Sequence, residues 1–530
     1  MNNAADFLKI TRDKYPDNIA VADPKSAITY EEMYKMALVY AGLFIKGDEK
    51  LKLLKVDGED GIAFFMEKET DCLPLMYGGM YAGAFYSFID VRQTRDRIVS
   101  IVECIDPKII ITNAENRENI EAALSGSIYF GRIADITVLT SCAKERLAGI
   151  GENFKEVLTD DERRLLDDRR ALFTDTQPLY VNFTSGSTGS PKGVAVSHKS
   201  VIDFISCFVK TFGITQSDVI ANQAPFDFDV SVKDIYSALF TGAKAVLIPR
   251  PYFTNPQVLM DYLCDNKVTT LIWAVSAMCF VSIMNGLEYR TPEHIDKIMF
   301  SGELMPVKQL NKWKKSIPDA VYVNLYGPTE ITCNCTYHIL REEYEKGDVI
   351  PIGIPFENEK VFLLDEDDKL ITEPNKEGEI CVCGTCLAIG YYKDREKTDA
   401  AFMQNPLNER FYERMYRTGD LGKMDAAGRL VYTSRKDFQI KHMGQRIELG
   451  DIENCAMTID GVSRACSLYD EKKKKILLYY VGEAEKEAVS IKLHDLLPAF
   501  MIPGKTVKIN EFPLNKNGKI DRKELMNIND

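Results

Sequence analysis

Histidine is scarce. The five in 530 residues (His198, His294, His338, His442, His494) stand far apart. They form neither an HExxH helix nor a Ser–His pattern, so metal hydrolysis and serine-type nucleophilic catalysis lack support. Positive charge is also in deficit: 66 Lys+Arg against 79 Asp+Glu leave a net charge of −13. Nucleic acid is therefore not an expected partner, because phosphate backbones select basic surfaces. The amino end, Met1-Asn-Asn-Ala-Ala-Asp-Phe-Leu-Lys9, lacks the basic and apolar regions of a signal peptide. Long uninterrupted apolar runs are missing as well. The charge-free stretches 72–89 and 268–284 are broken by Pro74, Gly78, Gly79 and Gly83, and by Thr269, Thr270, Ser276 and Ser282. They read as buried helix–strand connections rather than membrane spans. A cytoplasmic protein is expected. Cysteine is present but thin and odd in number, 13 residues, which argues against a disulfide framework. Cys381-Val-Cys383-Gly-Thr-Cys386 contains a CxxC spacing, yet it continues an alternating strand pattern and has no second ligand pair at zinc spacing.

A chain this long exceeds one hydrophobic core, so several domains are expected. Ala27-Ile-Thr-Tyr-Glu-Glu32 predicts a short strand running into a helix, with Met33, Met36, Tyr40 and Phe44 at helical spacing. Lys108-Ile-Ile-Ile-Thr112 predicts a strand buried on both faces, as in parallel sheets. Strand and helix signals alternate to about residue 330, the pattern of an α/β fold. Residues 143–176 predict surface helix. Beyond about 350 the signals shorten into strands with Gly-rich turns, a β-subdomain. From about 437 they describe a small α+β unit, after the polar segment Ser434-Arg-Lys-Asp437.

The most informative stretch is residues 183–193, Phe-Thr-Ser-Gly-Ser-Thr-Gly-Ser-Pro-Lys-Gly. Glycines bring backbone N–H groups close to a ligand, while hydroxyls and Lys192 add donors for phosphate oxygens. Apolar runs on both sides (Leu179–Phe183 and Val194–Val196) predict flanking strands, which a flexible Ser/Gly linker would lack. The spacing is not that of a Walker A loop.

Further motifs follow in order: Tyr326-Gly-Pro-Thr-Glu330, Gly378-Glu-Ile-Cys-Val-Cys-Gly384 with Gly390-Tyr-Tyr392, Tyr416-Arg-Thr-Gly-Asp420, Ser434-Arg-Lys-Asp-Phe-Gln-Ile-Lys441 with Gly444-Gln-Arg-Ile-Glu-Leu-Gly-Asp-Ile-Glu453, and Asn517-Gly-Lys-Ile-Asp-Arg522. Together with the loop they resemble the adenylate-forming superfamily across nearly the whole chain. The resemblance is greatest to its amino-acid branch of nonribosomal peptide adenylation domains and D-alanine–carrier protein ligases. It implies a multi-domain α/β fold: a large N-terminal domain (1–433) with sheets and a β-barrel-like subdomain, a hinge (434–437), and a small mobile α+β domain (438–530). It further implies ATP and Mg²⁺. Thr184, Ser185, Gly186, Ser187, Thr188, Gly189 and Lys192 would hold the phosphates. Tyr326 would stack on adenine, and Asn324 would meet the base edge. Gly327, Thr329 and Tyr432 would complete the nucleotide site. Glu330 would hold Mg²⁺ and Asp420 the ribose hydroxyls, with Arg435 near the ribose or α-phosphate. Asp437 matches the hinge residue, and Gly444 would line the tunnel for the thiol acceptor. Lys519 would bridge the substrate carboxylate and the α-phosphate. Its loss is expected to cost roughly 10²–10³-fold in adenylate formation.

By the same resemblance Phe226-Asp-Phe-Asp-Val-Ser-Val-Lys233 puts the grip on a substrate α-ammonium at Asp229. Asp229 also precedes a predicted helix and would serve as its N-cap, although Asp227 or Ser231 could cap instead. Val230, Lys233, Trp273, Met299, Ser301, Gly302, Leu325, Cys333 and Asn334 would line the pocket. Lys233 leaves two readings. Pointing inward, it favours a side-chain carboxylate, as in aspartate or glutamate. With its head escaping to water, it leaves a small pocket for alanine, serine or cysteine. No Gly-Gly-x-Ser carrier attachment site occurs, so a stand-alone ligase serving a separate phosphopantetheinylated carrier protein is expected. An acyl- or aryl-CoA synthetase is the alternative enzyme, and a non-catalytic nucleotide-binding scaffold the alternative outside enzymes.

Overall fold

The computed structural model describes residues 1–51, 53–150, 157–184, 191–436, 439–471, 473–513, 520 and 522–527. The chain divides into two compact units. One comprises Met1–Val91, Val102–Asn182 and Gly193–Lys436; the other comprises Arg92–Ile101, Phe183–Lys192 and Asp437–Asp530.

The larger unit is built on three sheets. In a nine-stranded sheet, the strands Ile19–Ala22, Lys244–Leu247, Val219–Asn222, Thr270–Ala274, Lys297–Ser301 and Val321–Tyr326 lie parallel in that spatial order. Antiparallel strands close both edges. A seven-stranded sheet carries Gly61–Phe65, Phe85–Phe88, Ile109–Thr112 and Pro178–Thr184 at its centre, with Lys192–Ser197 beside the last of these. The third sheet is antiparallel and five-stranded, Glu359–Leu364, Glu377–Gly384, Arg414–Met424, Phe402–Gln404 and Leu430–Arg435. It is the β-subdomain that the Gly-rich turns announce.

Local sequence explains the elements. The strand Ala27–Thr29 passes into the helix Tyr30–Lys46 through a capping box: Thr29 accepts from the Glu32 N–H and the Glu32 carboxylate accepts from the Thr29 N–H. Two cores flank the nine-stranded sheet because successive residues point to opposite faces. Ile272, Met299, Val323 and Leu325 belong to one core; Leu271, Trp273, Ile298, Phe300 and Tyr322 belong to the other.

The smaller unit has a three-stranded sheet, Val462–Asp470, Lys475–Gly482 and Lys505–Lys508, packed with the helices Leu449–Met457 and Lys486–Leu496. It also holds a hairpin, Gln439–His442 with Gln445–Glu448. The hairpin's two-residue turn places Met443 (φ 53°) and Gly444 (φ 78°) in the left-handed region, as a tight primed turn requires.

No described cysteine is in a disulfide, and Cys381, Cys383 and Cys386 are buried. Among the described residues, no helix is long and apolar enough to cross a membrane, and no group of three or more His, Cys, Asp or Glu side chains is set to hold a metal.

Candidate active site

Asp420 is the focus of one end of the site. It faces Arg435 across the antiparallel pair Arg414–Met424 and Leu430–Arg435, and the Arg435 guanidinium donates to Asp420 Oδ1 at 2.6 Å. Tyr326, ending a strand of the nine-stranded sheet, donates its phenol to Asp420 Oδ2 at 2.6 Å. Burial first, and the Asp420 charge second, push the Tyr326 phenol far above its ordinary range, so it remains a donor. The Tyr432 ring lies 6.5 Å from that of Tyr326. Asn324 donates through Nδ2 to the Pro351 carbonyl at 2.8 Å.

Glu379 is a residue the sequence reading quoted without a role. It accepts from Arg417 Nε (2.8 Å) and Nη2 (2.6 Å), from the Gly419 N–H (3.1 Å) and from Lys436 Nζ (2.9 Å). One buried carboxylate thus ties together three of the motifs. Burial pushes its pKa up, but Arg417 and Lys436 outweigh burial and hold it below the ordinary value. Gly419 sits at φ 71°, where glycine is favoured, and the turn it makes sets up Asp420.

From Tyr326 the chain turns sharply. A Cβ on Gly327 would lie 2.5 Å from Asn334 Cα, so only glycine allows this approach. Thr329 opens a short turn, Thr329–Ile331, that presents Glu330. Glu330 is buried, and its Oε1 accepts from the Tyr391 phenol at 2.9 Å. Tyr391, in the Gly-Tyr-Tyr motif, is a second contact that sequence reasoning missed. A lone carboxylate is the donor set that Mg²⁺ takes when nucleotide phosphates and water supply its other ligands. Thr332 (φ 53°) and Cys333 (φ 75°) are both left-handed, a conformation that L residues rarely adopt. The Thr332 hydroxyl is anchored on the Cys386 carbonyl at 2.7 Å.

The other end of the site lies on the helix Val230–Thr241. Asp229 occupies its N-cap position with φ −61° and ψ −23°, and its side chain makes no capping hydrogen bond. The Ser231 hydroxyl donates to the Phe228 carbonyl at 2.6 Å, which caps no helix N–H. The Cys333 thiol donates to the Asp229 carbonyl at 3.0 Å. Lys233 is fully buried, and its ammonium donates to Asn334 Oδ1 at 2.6 Å and to Ser301 Oγ at 3.4 Å. Of the two readings of Lys233, the structure shows the inward one. Met299 and Leu325 line the same face of the sheet as Ser301, while Val230 begins the helix and Gly302 (φ 97°) follows Ser301.

Trp273 corrects the sequence reading. It lies on the opposite face, in the second core, with its indole N–H on the Ala221 carbonyl at 2.9 Å and its ring edge-on to Phe253. Ile272 is in register with Met299 and takes the pocket-side face.

Thr184 ends one strand and Lys192 begins the next, flanking the predicted phosphate loop. Ser185, Gly186, Ser187, Thr188, Gly189, Asp437 and Lys519 lie outside the described residues.

Comparison with known proteins fits this geometry. The AMP-binding enzyme family matches residues 8–392. The chain belongs to that family. Its members here include the L-proline–[L-prolyl-carrier protein] ligase of Streptomyces coelicolor, 30% identical over 88% of this chain and 87% of the relative. A D-alanine–D-alanyl carrier protein ligase of Listeria monocytogenes is 28% identical over 97% and 96%. Zwittermicin A synthase ZmaJ of Bacillus cereus is 29% identical over 96% and 92%. Among solved structures, holo-PA1221, a nonribosomal peptide synthetase protein with adenylation and carrier domains, shares the fold with a TM-score of 0.79 at 23% identity, covering 99% and 84% of the two chains. The Vibrio cholerae adenylation domain AlmE, solved with glycyl-adenosine-5′-phosphate, has a TM-score of 0.80 at 19% identity, covering 99% and 98%. The protein is an AMP-binding family ligase.

Proposed function

We propose that this AMP-binding enzyme condenses an amino acid with ATP to give aminoacyl-AMP and pyrophosphate, then passes the aminoacyl group to the phosphopantetheine thiol of a separate carrier protein. One observation carries the reading. The segment 326–334 reaches both ends of the site: Tyr326 holds Asp420, Cys333 holds the Asp229 carbonyl, Asn334 holds Lys233, and Glu330 stands between them. A nucleotide gripped at Asp420 and an amino acid gripped at Asp229 are thereby brought to one short stretch of chain.

In this reading Asp420, fixed by Tyr326 and Arg435, accepts from the ribose hydroxyls. Asp229 receives the α-ammonium, a charge-assisted contact that a fatty or aryl acid does not need. The substrate carboxylate then attacks the α-phosphate, and pyrophosphate departs. Two anions must approach, so the barrier is dominated by repulsion that fixed cations relieve. Lys519 is assigned that task, Lys192 and the loop 184–189 the phosphates, and Asp437 the hinge about which the small domain turns. Gly444 is assigned to the thiol's path, since glycine leaves that position of the turn without a side chain. When bound, Mg²⁺ neutralises phosphate charge, and Glu330 is the residue that would hold it.

The test is ATP–pyrophosphate exchange with each amino acid in both enantiomers, alongside fatty and aryl acids. The reading predicts exchange with an amino acid, followed by thioester formation on a phosphopantetheinylated carrier rather than on coenzyme A. Exchange confined to fatty or aryl acids would overturn it in favour of an acyl-CoA synthetase.

A further inference from the structure

The side-chain end of the pocket contains an ammonium with neutral partners. Lys233 is fully buried, and both of its hydrogen-bond acceptors, Asn334 Oδ1 and Ser301 Oγ, are uncharged. Among the described residues no carboxylate lies within 4.0 Å of its nitrogen. Burial draws its pKa down and outweighs the opposing influence of Cys333, Asp229 and Asp234. A buried ammonium is costly unless a carboxylate meets it. A solvated lysine head would carry no such demand.

Position on the helix adds a second constraint. Asp229 and Lys233 are four residues apart, so they fall on one face of the helix about one turn, roughly 6 Å, apart along its axis. The anion stands at the helix entrance, and the cation stands one turn in. A four- or five-carbon amino acid with a second carboxylate presents the inverse arrangement, an ammonium at one end and a carboxylate at the other. Ser301 and Asn334 hold the Lys233 head from the sheet and from the turn, so that it is preorganised rather than mobile. Met299 and Leu325, apolar and on the same face of the sheet as Ser301, would wall the intervening methylenes.

We infer that the substrate is an acidic amino acid, aspartate or glutamate, whose side-chain carboxylate pairs with Lys233. This rests on the amino-acid reading of the site and narrows it. A neutral amino acid would leave the ammonium without a carboxylate in contact, whereas an acidic one would supply it with a charge-assisted hydrogen bond. Tying the helix to the sheet is the alternative task for Lys233, and that task would place no demand on substrate charge.

The experiment measures kcat/KM for pyrophosphate exchange with aspartate and glutamate, each enantiomer, against their neutral isosteres asparagine and glutamine and against alanine and serine. The expected result is that one acidic amino acid exceeds its own amide at least tenfold. In Lys233→Met, and in the polar Lys233→Gln, that ratio falls to near one while the ATP KM is unchanged. A wild-type protein that activates a neutral amino acid as well as, or better than, its acidic isostere overturns the inference, whatever becomes of the variants. A Lys233→Gln protein that keeps the full acidic preference also overturns it. Exchange with no amino acid at all would overturn the amino-acid reading itself, and this inference with it.

Discussion

Asp229→Asn separates a binding role from a capping role at one atom pair. An aspartate at an N-cap position ordinarily contributes about 1 kcal/mol by accepting from the first helical N–H groups. Here that bond is not made, and the Ser231 hydroxyl already meets the Phe228 carbonyl next to it. Replacing the carboxylate by an isosteric amide therefore removes no cap, and the midpoint of thermal unfolding should move by no more than about 1 °C (a change within about 0.5 kcal/mol). Its effect on substrate is different. A hydrogen bond between charged partners contributes about 1.5–3 kcal/mol, so losing the carboxylate facing an α-ammonium should lower kcat/KM for the amino acid by roughly 10- to 150-fold. The KM for ATP should hold, because Asp420, Tyr326 and Arg435 are untouched. Pyrophosphate exchange under varied amino acid and varied ATP, beside thermal unfolding of both proteins, makes the measurement. A large loss of stability with unchanged exchange would refute the reasoning, because it would show that Asp229 serves the helix.

Three further outcomes follow from other parts of the molecule. Arg435→Met strands the Asp420 carboxylate, whose side chain is 5% exposed, and should destabilise the larger unit by about 3–5 kcal/mol in chemical denaturation while raising the ATP KM. His198 is buried, accepts from the Ala4 N–H at 3.1 Å and packs edge-on against Phe173; burial lowers its pKa to about 3. Between pH 3 and 6.5 the unfolded chain then binds the extra proton, so stability drops on acidification by about 1.4 kcal/mol for each pH unit below 6.5. His198→Gln should flatten that slope in urea unfolding between pH 7 and 5. Trp273→Phe should cost roughly 1–3 kcal/mol by removing the indole donor from the Ala221 carbonyl, with amino-acid preference unchanged, whereas Ile272→Phe should change that preference at an overpacking cost of roughly 1–3 kcal/mol.

Much of this was legible beforehand where one residue type has one physical use. Thr29 with Glu32 three positions on announces a helix start, and Ile109–Ile111 between polar ends announces a buried strand. The ordered motifs announced the family. What remained hidden depended on register and on partners distant in sequence. Thr270-Leu-Ile-Trp-Ala274 is covered on both faces, so hydropathy does not alternate and cannot say whether Ile272 or Trp273 meets the pocket; pairing with Met299 decides it. Lys233 counts as a surface residue by composition, and its partners Ser301 and Asn334, 68 and 101 positions away, reveal that its head is buried. Glu379 carries no local signal because its partners, Arg417 and Gly419 on one neighbouring strand and Lys436 just past another, lie 38 to 57 positions away.

Oxygen tracing tests the central chemistry most directly. With the substrate carboxylate labelled in ¹⁸O, attack on the α-phosphate puts one labelled oxygen on phosphorus, and it stays there when a thiol takes the acyl group. Mass spectrometry should therefore find AMP carrying a single ¹⁸O, in step with aminoacyl thioester. Unlabelled AMP, or ADP in its place, would contradict adenylate formation.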